Sequence, residues 1–303
     1  MRAFLLYCNR LKKMSNRYIL VSGGYVMNFF TTSDLLGRSG PFNKVIDYTI
    51  FYLLLAVLTV GLIWFLRKKG TSKTVKYTLI ACWGLAVFVD VAKIIVSVST
   101  GGFQLTGSLP LYICSIFMYA MPFAIWGKGK LKDIGCTYVC TIGLFGAFMN
   151  YIIPSVTINH SLLSFYGLHT TIYHSMLLVA PIVMLTTGYT KLSFKNFGWT
   201  FLGFVGLTAG VVVLDYIIEA DYMYFRTAET TSVGIVMNIA SATSYFWPVL
   251  MYLGYAIVQT VMTGLIIGVN EACCAISKSI DNASLRLSNN TNNEKETKED
   301  TAK

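Results

Sequence analysis

Seven long apolar stretches, joined by short connectors that alternate between lysine-rich and lysine-poor, constrain this chain more than any other feature. A helix needs about 20 apolar residues to cross about 30 Å of hydrocarbon, because each residue adds about 1.5 Å. The pattern therefore predicts an all-α fold, a polytopic membrane helical bundle. The predicted spans are Val45–Leu66, Val75–Val98, Leu109–Trp126, Ile134–Ile153, Leu168–Thr186, Trp199–Ile218 and Val233–Gly268.

Composition supports the membrane assignment. Hydrophobic residues make up 55% of the 303 residues and charged residues only 13%, which is outside the range of ordinary soluble domains. The net charge of +10 comes from clusters at the ends of apolar stretches, so we expect no nucleic-acid partner. The seven cysteines form no CxxC pair and lie at no zinc-ligand spacing, so we expect no metal and no cofactor.

The connectors predict the orientation of the bundle. Lysine or arginine follows the first, third and fifth spans, whereas the connectors after the second and fourth spans carry no charge. The positive-inside rule then places the basic connectors in the cytoplasm of a multi-pass cell-membrane protein. We expect three regions: an N-terminal extension over 1–44 that is interfacial, an eighth broken span or partly non-native, a transmembrane domain over 45–268 and a disordered cytoplasmic tail over 269–303.

Four reactive or ionisable residues lie within the apolar stretches, near the side that lacks lysine: Cys114, His174, Asp90 and Asp215. Desolvation makes such groups costly in a membrane, so they often mark a functional site. Cys114 and His174 lie at matching depths of roughly 7 to 9 Å. The pattern favours one polar pocket that opens towards the outer leaflet.

Each of these residues also has a purely structural interpretation. Cysteine behaves as a small hydrophobe when buried, so Cys114 could serve packing alone. Asp90 and Lys93 are three residues apart and can neutralise each other on one helix. His169 lies near the predicted interface and could simply be solvated, and Asp215 could belong to a solvated helix end.

Four sequence blocks resemble one known family. LPLYIC (Leu109–Cys114), GAFMNYIIPS (Gly146–Ser155), LHTTIYHSML (Leu168–Leu177) and DYIIEADYMYFR (Asp215–Arg226) occur in this order. They are similar to the signature blocks of the transmembrane-protein-164 acyltransferase family, which includes bacterial YwaF-type integral membrane proteins. This chain differs at Tyr112, where the family often has histidine, and at Asp215, where it usually has asparagine.

The resemblance implies a lipid acyltransferase that moves a fatty acyl chain between phospholipids or lysolipids through a cysteine thioester. The nucleophile and its histidine partner match Cys114 and His174. We expect the remaining site residues to bind substrate or to support these two, including donors to the oxyanion and cations for the lipid phosphate. They are Asp90, Lys93, Tyr112, Asn150, His169, Tyr173, Asp215, Tyr222, Arg226 and Trp247.

Two other classes of function stay open at this point. Asp90, Lys93, His174 and Asp215 could form a proton-coupled relay or a transport path, because intramembrane carboxylates and histidines are typical of both. Seven spans with an external N-terminus also fit a non-catalytic receptor or regulatory protein. Replacement of Cys114 by serine separates the classes, because only the acyltransferase depends on the thiol.

Overall fold

The fold consists of α-helices joined by short connectors. The computed structural model describes residues 41–152, 161–227, 239 and 246–300. We number the helices α1 (Pro41–Lys69), α2 (Ser72–Ser99), α3 (Ile116–Trp126), α4 (Lys130–Tyr138), α5 (Leu144–Ile152), α6 (Phe165–Thr186), α7 (Phe197–Ile217) and α8 (Trp247–Asp300). The all-α prediction is confirmed over these described residues.

Six apolar helical stretches in the described part of the chain are long enough to cross a membrane. They are Ile46–Lys69, Ser72–Ser99, Lys130–Tyr151, Phe165–Thr186, Phe194–Ile217 and Trp247–Cys273. Each overlaps a span predicted from the sequence. The first part of the predicted seventh span and the extension at 1–40 lie outside the described residues.

The predicted third span differs from the structure. Only Ile116–Trp126 is helical, and 11 residues cover about 16 Å, roughly half of the hydrocarbon thickness. Residues 109–115 form turns instead of the predicted first helical turns. Pro110 explains part of this difference, because proline lacks an N–H and restricts the residue before it. We call residues 109–115 the break.

The fourth span is one continuous helical path with an irregular centre. α4 leads into a π-helical turn, Val139–Gly143, which continues directly into α5. Gly135 lets α4 approach α3 closely, because a Cβ atom there would lie 2.4 Å from the amide nitrogen of Ala124. Small residues commonly permit this kind of close helix contact in membranes.

Helix α6 lies at the centre of the bundle. It packs against α1, α2 and α5, and it also contacts the π-helical turn. Leu177, Ala180 and Val183 of α6 are completely buried. Side chains on different faces of α6 can therefore reach several neighbouring helices, which is how its polar residues become connected to the break.

The lysine-rich connectors share one end of the bundle, which we call the basic end. They follow α1, α3 and α6, and they include Arg67, Lys68, Lys128, Lys130 and Lys191. The break and the segment after α7 belong to the opposite end.

The C-terminal helix continues beyond its apolar part. The apolar span ends at Cys273, yet the backbone stays helical to Asp300. The sequence predicts a disordered tail over 269–303 from its polar composition, and the structure differs in showing a helix over most of this range. The absence of glycine and proline after Gly268 is a physical reason for the continuation, since these residues most often end helices.

Candidate functional site

Cys114 lies in the break, two residues before the first residue of α3. Its side chain is only partly buried, and the thiol is free. Ser115 follows it at the N-terminal boundary of α3 and is buried, with no capping bond from its side chain. Cys114 therefore lies outside regular helix, at the positive end of a helix dipole. In both respects its surroundings differ from those of a cysteine that only fills a core position within a helix.

Two buried tyrosines hold the backbone around Cys114. Tyr138 of α4 donates its hydroxyl to the carbonyl oxygen of Ile113. Tyr173 of α6 donates to the carbonyl oxygen of Cys114 at 3.1 Å. Backbone polar groups at membrane depth need protein partners when they leave a helix. These bonds supply such partners and fix the position of Cys114.

A third tyrosine holds the start of the break from the segment after α7. Tyr222 is fully buried, and its hydroxyl donates to the carbonyl oxygen of Leu105 at 2.7 Å. The Tyr222 hydroxyl oxygen also accepts a hydrogen bond from the Leu109 amide at 3.1 Å. Burial raises the pKa of Tyr222, so its hydroxyl stays protonated and able to donate. Tyr222 also packs edge to face against Tyr112 of the break.

The thiol of Cys114 faces helix α5 at Gly146. A Cβ atom at Gly146 would lie 3.4 Å from the Cys114 sulfur, at the close limit of ordinary van der Waals contact. Gly146 follows the π-helical turn closely, and such turns are frequent near functional sites. Sequence reasoning missed both Gly146 and Tyr138 as parts of the site. Only Pro110, early in an apolar stretch, signals the break.

His174 lies on α6, next to Tyr173. Its Nδ1 atom is 2.8 Å from the carbonyl oxygen of Thr170, an arrangement that places the proton on Nδ1. Nε2 is then the basic nitrogen, as a general base requires. No hydrogen bond joins His174 to Cys114 in the described structure. Tyr173 links the two residues indirectly. It directly precedes His174 in the sequence, and its hydroxyl donates to the backbone carbonyl of Cys114.

Asp90, Lys93 and His169 form a second polar group beside Tyr173. Asp90 is 2% exposed, and its Oδ1 atom lies 3.1 Å from Lys93 Nζ and 3.2 Å from His169 Nε2. The pair of Asp90 and Lys93 expected from their spacing is therefore present. His169 is not solvated as the sequence allowed, because it bonds to Asp90 and its ring stacks on Tyr173 at 5.9 Å.

The segment that follows α7 is held by hydrogen bonds with Asp215, Arg226 and Trp247. Asp215 is fully buried and accepts a hydrogen bond from the Tyr222 amide at 2.9 Å. Arg226 donates to the carbonyl oxygens of Ala220 and Glu219. Trp247 donates to the carbonyl oxygen of Tyr224.

These contacts give the three residues a role as supports of the loop that carries Tyr222. Asn150 lies near the end of α5, is 8% exposed and belongs to the same end of the bundle as the break. Over the residues that the structure describes, no three His, Cys, Asp or Glu side chains converge as metal ligands would.

The fold and the site together define a polytopic helical membrane protein whose third span is broken at a half-buried cysteine. The chain matches the TMEM164 family over residues 41–269, and it belongs to that family. No curated protein and no solved structure matches the chain. The matched residues begin at the first residue of α1 and end within α8, so they include the break and all of the tyrosines that hold it.

Proposed function

We propose that this protein is an integral membrane acyltransferase that moves a fatty acyl chain between phospholipids through a thioester on Cys114. The observation that carries the proposal is the break itself. A cysteine interrupts a membrane span, and tyrosines from separate elements hold its backbone in place. Irregular backbone at membrane depth is costly unless it serves a cavity or a site.

The first half-reaction forms the thioester. His174 Nε2 accepts the thiol proton, and the Cys114 sulfur attacks the carbonyl carbon of a phospholipid ester. A carbon–sulfur bond forms, the ester carbon–oxygen bond breaks, and His174 returns the proton to the oxygen of the departing lysolipid. The second half-reaction reverses these steps with the hydroxyl of an acceptor lysolipid, so no other reactant is consumed.

Four features of the site support this chemistry. The N-terminus of α3 lies beside Cys114, and its positive dipole favours a thiolate or an oxyanion there. The hydroxyl of Tyr112 makes no hydrogen bond to any described residue, so it can donate to the oxyanion. Tyr173 already donates to Cys114 and has a positioning role. We assign Lys93 as the cation for a lipid phosphate, because Arg226 already donates to backbone carbonyls.

The orientation follows from the connectors. We assign the basic end of the bundle, and the C-terminal part of α8, to the cytoplasm of a cell membrane. The break then faces the outer leaflet. At that depth the ester groups of phospholipids lie near the boundary between headgroups and hydrocarbon, within reach of a partly buried thiol.

A transfer assay tests the proposed function. Purified protein in vesicles receives phosphatidylcholine with an isotope-labelled acyl chain and an unlabelled lysophospholipid, and mass spectrometry follows the label. We expect transfer by the native protein, none by Cys114→Ser, and a loss of about 100-fold or more in His174→Gln. Cys82→Ser is the matched control, because Cys82 is a buried cysteine of α2 far along the chain from the break. Equal transfer by native protein and Cys114→Ser contradicts the proposal.

The ion-paired group supports a second candidate function. Asp90, Lys93 and His169 are joined by short contacts within the membrane, as in proton relays. The relay expected from the sequence used Asp90, Lys93, His174 and Asp215, whereas the contacts here join Asp90 to Lys93 and His169. A proton flux across vesicles that Asp90→Asn abolishes and Cys114→Ser leaves intact would favour this function over acyl transfer.

A further inference from the structure

An apolar groove lies between α2, α3 and α7, open on its outer side. Its volume is about 790 Å³, and its walls are residues 83–94 of α2, 116–123 of α3 and 207–214 of α7. Pro110 and Leu111 of the break form part of its edge. The lining is almost wholly hydrophobic, so it suits a hydrocarbon chain better than a polar solute.

One carboxylate belongs to the groove wall, but the groove surface stays apolar. Asp90 is only 2% exposed, and its Oδ1 atom is occupied by Lys93 and His169. Its Oδ2 atom is buried and has no hydrogen-bond partner among the described residues. The carboxylate therefore lies behind the wall and offers little surface to a bound chain.

The dimensions of the groove match one leaflet of a bilayer. Residues 83–94 of α2 span about 16 Å at helical rise, close to half of the roughly 30 Å hydrocarbon core. On α2 and α7 the groove extends from the middle of the helix towards the end opposite the basic end, and on the short α3 it covers residues 116–123, starting at the first residue of the helix. The groove thus runs from the bilayer centre to the level of the break.

The inner part of the groove is built around a proline. Pro122 in α3 has no N–H to donate, so the carbonyl of Met118 lacks its usual helical partner. Trp83 of α2 donates its indole N–H to that carbonyl at 2.9 Å. The bond ties α2 to α3 at this depth, and Trp83 also packs edge to face against Trp126.

We propose that this groove binds one acyl chain of an outer-leaflet phospholipid, with the ester group placed at the break beside Cys114. The inference rests on the proposed function for the fate of the ester, although binding of the chain itself does not. Cys114 lies in the chain between Leu111 and Ile116, which both line the groove. A lipid acyl chain that occupies the full length of the groove brings its ester carbonyl to the level of Cys114.

Gly210 provides a way to fill the groove. It lies in the groove wall, and a Cβ atom there would meet nothing within 4 Å. A phenylalanine at Gly210 projects into the inner half of the groove. Gly254→Phe is the control, because Gly254 also faces open space and lies as many residues from the outer end of α8 as Gly210 does from that of α7. Gly254 does not line the groove.

The first experiment measures chain-length selectivity. Thioester formation is followed with phosphatidylcholine that carries either octanoyl or palmitoyl chains. We expect Gly210→Phe to slow the reaction with palmitoyl chains by about tenfold or more, because a full-length chain then clashes with the ring. Octanoyl transfer and all reactions of Gly254→Phe should match the native protein. Equal selectivity in Gly210→Phe and Gly254→Phe overturns the groove assignment.

A second experiment keeps the groove testable if the protein forms no thioester. Phosphatidylcholine with a photoreactive group near the end of its acyl chain is crosslinked to the native protein in vesicles, and labelled peptides are mapped. We expect labels concentrated in 83–94, 116–123 and 207–214, and their loss in Gly210→Phe but not in Gly254→Phe. Labels spread equally over all lipid-facing helices, including α8, overturn the groove. Concentrated labelling without any thioester would refute only the proposed function.

Discussion

The backbone amides of the break should exchange with solvent faster when Tyr222 loses its hydroxyl. Tyr222→Phe removes two hydrogen bonds, the donation to Leu105 at 2.7 Å and the acceptance from Leu109 at 3.1 Å, at a fully buried position. A net hydrogen bond contributes about 1 kcal/mol, so the local structure should weaken by about 2 kcal/mol. That value corresponds to roughly a 30-fold larger opening equilibrium.

Hydrogen–deuterium exchange of the native protein in detergent measures this effect, because amide exchange reports local opening. Peptides that cover residues 105–116 should exchange about 30-fold faster in Tyr222→Phe. Tyr173→Phe should give a smaller change of about 5-fold, since it removes one bond worth about 1 kcal/mol. The Cys114 carbonyl would keep its bond from the Phe117 amide at 3.1 Å.

Tyr216→Phe is the matched control for this measurement. Tyr216 lies on α7 at 52% exposure, and it makes no hydrogen bond within the described structure. In Tyr216→Phe, peptides that cover residues 105–116 should exchange at the same rate as in the native protein. If Tyr222→Phe exchanges no faster than Tyr216→Phe, the break is not held by Tyr222, and the account of how this segment is fixed is refuted.

Three further predictions concern the stability of the bundle, measured as thermal unfolding in one detergent. Gly135→Ala should destabilise the protein by about 3 kcal/mol or more, because the new Cβ atom meets the backbone of α3 at 2.4 Å. Gly206→Ala is the control and should leave the stability unchanged, because its Cβ atom meets open space. Equal effects of the two variants would refute the close contact. Trp83→Phe should cost about 1 to 2 kcal/mol through the unpaired Met118 carbonyl, and no loss would contradict that role. Asp90→Asn should lower the stability of the protein by about 3 kcal/mol, and adding Lys93→Met should restore part of that loss. Additive losses in the double variant would show that the two residues do not act as a pair.

The sequence predicts the helical framework well because membrane spans are long and apolar. Each of the six full-length spans overlaps a predicted one, and the pairing of Asp90 with Lys93 follows from helical spacing alone. The tail differs, because polar composition argues for disorder while α8 continues without a helix-breaking residue.

The candidate site could be predicted only in part. Cys114 and His174 stand out because they are chemically unusual within apolar stretches, but the break is hidden because its residues are as apolar as a span. Its tyrosine partners lie far away in sequence, with Tyr222 more than a hundred residues from Leu109. Contacts of this kind depend on how the helices pack. The pairing of His169 with Asp90 was missed for the same reason, since the two residues lie on different helices.

The most direct test of the acyl-enzyme account is the intact mass of the protein after incubation with palmitoyl phosphatidylcholine. We expect the native protein to gain the mass of one palmitoyl group, and neutral hydroxylamine should remove it because thioesters are cleaved under those conditions. Cys114→Ser should gain no mass, while Cys82→Ser should gain the same group as the native protein. An unchanged native mass, or an equal gain in Cys114→Ser, would contradict a thioester on Cys114.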